Sequence, residues 1–351
     1  MGKLKVAVLG ATGAVGQRFV QLLEDHPWFE VTALTGSDRS VGRAYGEVCR
    51  WVLAEPMPDF AQDMRIAPTE PGLDAALAFS ALPSDSAREI EPAFARAGHG
   101  VCSNASSHRM DEDVPLLIPE VNPGHTQLIL HQRRRRSWSG FIATNPNCTA
   151  TGFTIAFRPL QDAFGIRRAT VVSMQAVSGA GYPGVASLDI VDNVVPFIQG
   201  EEEKVESEPR KMLGRLDADA GRVEPASLRL SAHTNRVMVI DGHMVCASVE
   251  FEQPATPAEA ARAMAEFQAP AIVQALPSAP HCVIEVRPEP DRPQPRRDRD
   301  AGRGMTTVVG RVREDNLFHV KFVVLSHNTI RGAAGGSLLN AELLVAQGIV
   351  A

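Results

Sequence analysis

No stretch of this 351-residue sequence is apolar for long enough to form a signal core or to cross a membrane, and the N-terminus runs straight into a strand-like segment at 5–9. A cytoplasmic chain with no membrane contact is expected. Excess basic charge is lacking too. Against 35 Lys and Arg stand 41 Asp and Glu, and a net charge of −6 gives no general affinity for nucleic acid. The one basic cluster, Arg133 to Arg136, reads as an exposed, solvent-facing loop. Cysteines are few. Cys49, Cys102, Cys148, Cys246 and Cys282 have neither disulfide nor zinc spacing, so reduced thiols and no metal site are expected. There is no internal repeat. What is present, 44% hydrophobic and 22% charged residues, is ordinary globular composition with length enough for two domains.

The first positive signal is a strand, a glycine turn and a helix. The β-type run at 5–9 is followed by Gly10-Ala-Thr12-Gly13-Ala14-Val15-Gly16 and then by apolar residues at helical spacing in 17–23. That context suits a dinucleotide-binding turn, whose glycines let the backbone approach a pyrophosphate resting on the helix N-terminus. The spacing is G-x-x-G-x-x-G, a variant of the usual fingerprint. After the next strand, 30–34, an NAD site would carry a carboxylate for the ribose hydroxyls. Here stand Ser37, Asp38, Arg39 and Ser40. Hydroxyls and a guanidinium suit a 2′-phosphate, so NADP is the expected cofactor, with Asp38 as the counter-argument.

The second signal is Asn145-Pro146-Asn147-Cys148 between an apolar strand at 140–144 and a helix from Thr149. A thiol at a helix start is expected to have a lowered pKa, because the amide hydrogens there favour negative charge. A thiolate there can attack a carbonyl, with Asn147 and the Cys148 N–H receiving the oxyanion. The other four cysteines read as structural.

Strands and helices alternate through the first 148 residues, with strands at 74–80 and 100–103 and a helix at 85–97, which predicts a parallel, doubly wound sheet. From Ile166 the pattern turns β-rich. Strands at 168–177, 235–251, 282–286, 305–312 and 317–325, with a helix at 257–267, predict a larger, mostly antiparallel sheet with helices on one face. The charged, Pro-rich stretch 289–304 reads as a surface or interface crossing. Residues 328–347 read as helical, with Gly332, Gly335 and Gly336 marking close approach to another backbone or to a cofactor.

Six motifs in order, GATGAVG at 10–16, SNASSHR at 103–109, NPNCT at 145–149, MQAVSGAGYPG at 174–184, GEEEK at 200–204 and NRVMVIDGH at 235–243, resemble the aspartate-β-semialdehyde dehydrogenase family, archaeal and fungal branch. The resemblance extends through RGAAGGSLLNAELL at 331–344. It implies an α/β fold with an NADP-binding Rossmann domain at 1–147, completed by a C-terminal helix within 328–351, and an α+β catalytic and dimerisation domain at 148–327. It implies NADPH-dependent reduction of L-aspartyl 4-phosphate to L-aspartate 4-semialdehyde through a cysteine thioacyl intermediate, a step toward lysine, threonine and methionine. It also implies a homodimer or homotetramer. Cys148 is then the nucleophile. His243 handles protons for the thiol and the hemithioacetal oxygen, a task suited to a group titrating near neutrality. Gln175 contacts substrate. Arg236 forks onto the α-carboxylate, Glu201 faces the ammonium, and Lys204, Arg109 and Asn104 serve the phosphate. Ser80, Asn328 and Gly332 join the glycine turn and the Ser37–Ser40 loop as cofactor contacts. Met238 and His233 depart from the family pattern beside Arg236. The alternative is an acyl-CoA reductase of the malonyl-CoA type. That substrate lacks an α-amino group and leaves Glu201 without a use.

Overall fold

The computed structural model of the chain describes residues 2–350; Ala351, the end of the expected last helix, lies outside them. Six short strands, β1 (Leu4–Leu9), β2 (Phe29–Thr35), β3 (Ile66–Ala67), β4 (Leu77–Ser80), β5 (Gly100–Ser103) and β6 (Phe141–Thr144), form a wholly parallel sheet in the order β3-β2-β1-β4-β5-β6. The strands are buried on both faces, which explains why 74–80 reads as a continuous apolar run rather than an alternating one. The order reverses between β1 and β4. Ligands of doubly wound sheets bind in the crevice that this reversal opens at the strand C-termini. The glycine turn at 10–16 follows β1 there.

The second sheet comprises β7 (Ile166–Gln175), β10 (Arg229–Arg236), β11 (His243–Phe251), β12 (Ile284–Arg287), β13 (Thr307–Glu314) and β14 (Val320–Ser326), in the order β10-β7-β11-β14-β13-β12. A separate ribbon pairs β8 (Arg215–Asp217) with β9 (Arg222–Glu224). The three inner pairings of the large sheet are antiparallel, while β10–β7 and β12–β13 are parallel, so it is a mixed sheet. The expected single strand over 235–251 is in fact the end of β10, a turn at 237–242 and the whole of β11. That division lets β10 run parallel to β7.

Two helices join the layers. The helix Cys148–Phe164 enters the core of the second sheet through Phe153, Phe157 and Leu160. The helix Gly335–Ala346 is buried on every side through Leu344. Leu339 and Leu343 belong to the second core, Leu338, Ala341 and Leu344 to the first. A π-turn at Ile330–Ala334 precedes it, so the expected continuous helix from 328 begins seven residues later.

Two other expectations are corrected. Arg133 to Arg136 form the last turn of the helix Leu128–Arg136, where cations suit the helix dipole, and Arg136 pairs with Asp111 and Asp113. The stretch 289–304 is not a simple surface crossing. Its Asp298 is buried and takes Arg292 and the Gln294 N–H, and Arg299 donates to Asp241 O (3.2 Å), so the segment buttresses the turn before His243. Among the described residues, no helix is long and apolar enough to cross a membrane.

Candidate active site

Strand direction brings the polar side chains together. β7 and β10 are parallel with Gln175 beside Arg236 at their C-terminal ends, and β11, antiparallel to β7, begins at His243 on the same edge. That edge meets the N-terminus of the Cys148 helix, whose position is set by β6 and the Asn145-Pro-Asn turn. Cys148 Sγ lies 3.3 Å from His243 Nε2. The Ala176 N–H donates to His243 Nδ1 (3.1 Å). A neutral imidazole bonded this way carries its proton on Nε2, aimed at sulfur. A Cβ on Gly179 would stand 2.8 Å from Arg236 Nη1 and 3.0 Å from His243, so the loop after β7 must be glycine there to lie against both.

Asn147 is the N-cap of the Cys148 helix. Its Oδ1 accepts from the Thr149 and Ala150 N–H groups (2.9 and 3.0 Å), and its Nδ2 donates to Glu201 Oε1 (2.9 Å). The amide expected to receive an oxyanion is thus engaged in shaping the turn. Glu201 Oε1 also accepts from Gln175 Nε2 (3.1 Å) and Thr149 Oγ1 (3.3 Å), whereas Oε2 has only Lys204 Nζ, at 3.9 Å. Gln175 Nε2 also donates to Ser173 Oγ (3.2 Å), so both its hydrogens are engaged. Arg236 is buried, and Nη1 donates to Ala176 O (2.8 Å). Among the described residues no carboxylate pairs with this guanidinium. Met238, 61% exposed, and His233 present exposed side chains close to Arg236 in the chain.

The thiol departs from expectation in sign. Burial pushes Cys148 up to about 12 and Glu201 adds to the rise; Arg109, Arg236 and the Thr149 N–H pull the other way but do not prevail. His243 does not titrate near neutrality. Burial first, then Arg236 and His327, push it down to about 3, so the ring is neutral at any working pH. The consequence is measurable in the enzyme without ligands. Thiolate, not thiol, is alkylated. Inactivation by iodoacetamide should therefore accelerate about tenfold per pH unit from pH 6 to 9, with no plateau. A plateau below pH 8 would show that the helix N-terminus wins after all.

Arg109 and Asn104 share one loop. Arg109 Nη2 donates to Asn104 O (2.7 Å), and both side-chain amide atoms of Asn104 are buried without a partner. Lys204 is more peripheral, its side chain 36% exposed. Sequence reasoning missed Glu208 and Lys211. Glu208 accepts from Arg109 Nη1 (3.0 Å) and from the Asn147 N–H (2.6 Å); Lys211 Nζ donates to the carbonyls of Arg109, Asp111 and Val114 (2.8, 2.7 and 2.8 Å). The available signal was spacing, since Glu208 and Lys211 repeat Glu201 and Lys204 seven residues later on one helix face.

The glycine turn fits a dinucleotide. A Cβ on Gly16 would sit 2.3 Å from Gly10 O, so this glycine lets helix and strand pack closely. Gly13 is open and caps the helix Ala14–Leu22 without a side chain, leaving the first-turn N–H groups to an anion. Ser37 and Arg39 are exposed, and Ser37 Oγ lies 3.3 Å from Ser40 Oγ. Ser80 Oγ, at the end of β4, is buried without a partner. Two further expected cofactor contacts lie beside the nucleophile and its histidine. Asn328 Oδ1 accepts from the Gly242 N–H and Nδ2 donates to Ser178 Oγ (both 2.8 Å), bracing the His243 turn. Gly332 lies against the nucleophile, where a Cβ would stand 2.7 Å from Cys148 Cβ. Among the described residues no cluster of His, Cys, Asp and Glu is placed to hold a metal ion.

Residues 5–129 match the semialdehyde dehydrogenase NAD binding domain, and residues 157–331 match the semialdehyde dehydrogenase dimerisation domain. The chain is 53% identical to an aspartate-semialdehyde dehydrogenase of Archaeoglobus fulgidus, covering 99% of this chain and 100% of the relative. It is 42% identical to a malonyl CoA reductase (NADP) of Metallosphaera sedula, covering 99% and 98%. Among solved structures, an aspartate semialdehyde dehydrogenase of Candida albicans with NADP superposes with a TM-score of 0.91 at 41% identity, covering 99% of this chain and 100% of that one.

Proposed function

The chain belongs to the semialdehyde dehydrogenase family, and from that premise we infer that it is an aspartate-semialdehyde dehydrogenase of amino-acid biosynthesis. It reduces L-aspartyl 4-phosphate with NADPH to L-aspartate 4-semialdehyde and phosphate. The observation that carries the substrate is Arg236, a buried fork with no protein carboxylate, on the same strand edge as the Cys148–His243 pair.

In this reading Cys148 Sγ attacks the acyl carbon, the new S–C bond replaces the C–O bond to phosphate, and the thiol proton leaves with the phosphate as hydrogen phosphate, giving a thioester. The backbone N–H of Cys148 receives the oxyanion. His243 Nε2–H donates to sulfur and stabilises the thiolate, both before attack and when the aldehyde leaves; the Ala176 N–H keeps the ring in the tautomer that can do this. Glu201 Oε2 takes the substrate ammonium, while its Oε1 holds Gln175 and Asn147 in place. Gln175 presents its amide oxygen to substrate. Arg109, Asn104 and Lys204 hold the phosphate. NADPH, when bound, supplies the hydride. Gly10 to Gly16 and Ser80 would hold it, with Ser37, Arg39 and Ser40 at the 2′-phosphate. NADPH should be preferred over NADH by at least about tenfold in kcat/KM, roughly 1.4 kcal/mol. Arg39→Ala should erode that preference mainly by raising the KM for NADPH, and equal use of both cofactors by the unmodified enzyme would contradict the assignment.

Residues 1–147 with the last helix form the cofactor domain in this reading, and 148–327 the catalytic and dimerisation domain; two hydrophobic clusters lie within the first and its last helix, and the third, on the second sheet, also takes in Leu116, Ile118 and Val121. A homodimer would bury an exposed apolar set: Leu188 (92% exposed), Val194, Phe197, Met238 and Ile240 (71% exposed). Five unpaired thiols support a reducing compartment, the cytoplasm.

Likeness to the malonyl CoA reductase raises a second reading with the same cysteine chemistry. Buried Glu201 speaks against it, because malonyl-CoA offers no ammonium. Two parallel assays separate them: NADPH formation from aspartate semialdehyde, NADP and phosphate, and NADPH consumption with malonyl-CoA. Activity in the first alone is expected. Activity in the second alone would overturn the assignment.

A further inference from the structure

The helix Glu201–Met212 repeats one pattern, an acid followed three residues later by a lysine. The first pair, Glu201 and Lys204, faces substrate in the reading above. The second pair, Glu208 and Lys211, is more deeply buried, at 1% and 6% exposure. Burying a carboxylate and an ammonium is costly unless their partners are fixed. Here they are, and the partners are informative. One Glu208 oxygen takes Arg109 Nη1, and the other takes the backbone N–H of Asn147, the residue before the nucleophile. Lys211 holds three carbonyls of the segment that carries Arg109. Two loops from the ends of β5 and β6 thus meet on one carboxylate.

We propose that Glu208 is a positioning residue that ties the phosphate-binding guanidinium of Arg109 to the Cys148 turn, with Lys211 fixing the Arg109 loop behind it. The proposal rests on the assignment of Arg109 to phosphate. Glu208 fixes one edge of the guanidinium, and Asn104 O fixes the other through Nη2, leaving Nε, buried without a partner, and the remaining hydrogens for an anion. The same carboxylate sets the distance between leaving group and nucleophile. Small misplacements of this kind cost rate steeply.

Glu208→Gln tests it, because an amide offers one acceptor and one donor where two donors must be met. In the direction that consumes aspartate semialdehyde, the variant should raise the KM for inorganic phosphate about tenfold and lower kcat about tenfold, with the KM values for semialdehyde and NADP within about twofold. In an Arg109→Ala background the phosphate effect of Glu208→Gln should vanish, while the kcat effect, which runs through Asn147, persists. Protection of Cys148 from iodoacetamide by inorganic phosphate alone should weaken in parallel. Glu208→Asp, which keeps the charge, should fall between Gln and the unmodified enzyme, and serves as the test if the Gln variant does not fold. A lowered melting temperature with an unchanged phosphate KM would reduce Glu208 to a structural residue and overturn the proposal. So would full additivity with Arg109→Ala. Absence of any phosphate dependence in the unmodified enzyme would instead sink the functional assignment on which the proposal rests.

Discussion

Cys148→Ala should bind NADP within about threefold of the unmodified enzyme and lose at least about a hundredfold in turnover, with the loss of a covalent nucleophile elsewhere reaching 10⁴–10⁶. The two effects separate because the two sites do. In the proposed reading the cofactor is held by the turn after β1, in the first sheet's crevice, whereas Sγ stands at the start of the Cys148 helix, 3.3 Å from His243 Nε2. Cys148→Ser should retain at most traces. Its hydroxyl is far harder to ionise than a thiol, and a site that pushes even the thiol up to about 12 gives an alkoxide no help. Fluorescence titration with NADPH and a steady-state assay measure the two quantities. A Cys148→Ala enzyme retaining more than about a hundredth of wild-type turnover would remove the thioester from the mechanism.

Arg236→Lys should cost about 2–4 kcal/mol in kcat/KM for aspartate semialdehyde, roughly 30- to 1,000-fold. The charge survives and the fork does not. At a bidentate carboxylate site lysine cannot replace the two parallel N–H donors of arginine. The effect should appear without unfolding, since Arg236 packs at the end of β10 and its side chain's one hydrogen bond among the described residues is to a carbonyl, Ala176 O, which a lysine can also reach. Circular dichroism and thermal melting check the fold, and kinetics on semialdehyde check the loss. Wild-type kinetics would move the carboxylate elsewhere. Given His233 and Met238 close by in the chain, that result would strengthen the case for a different substrate.

Five of the six strands of the parallel sheet were legible, because each is short and apolar; the two-residue β3 gave no signal. The second sheet was legible only in outline. β10 begins at Arg229, with polar Arg229, Ser231 and His233 alternating against Leu230 and Ala232, and a half-exposed edge strand gives little apolar signal. The cysteine turn and the residues around His243 and Arg236 stood out because their types carry chemistry in motifs. What they touch did not. Asn147 reads as an oxyanion donor in a linear reading, and in space its Oδ1 also caps the Cys148 helix. The sign of the Cys148 shift depends on how much protein surrounds the sulfur, which a helix start cannot reveal. Gly332 lies in a segment whose glycines do mark close approach, here to Cys148. Glu208 and Lys211 were passed over despite their seven-residue repeat of Glu201 and Lys204, because an acid and a lysine three apart read as a solvated helix face. Only the third dimension buries them.

The most direct measurement is a single turnover without phosphate. Enzyme mixed with NADP and L-aspartate 4-semialdehyde in phosphate-free buffer should form NADPH in a burst of about one equivalent per active site and then stall. Mass spectrometry of the stalled enzyme should find an aspartyl acyl group on Cys148, and added phosphate should remove it and restart NADPH formation. Continuous NADPH formation without phosphate, or a stalled enzyme with no mass on Cys148, would contradict a thioacyl route resolved by phosphate.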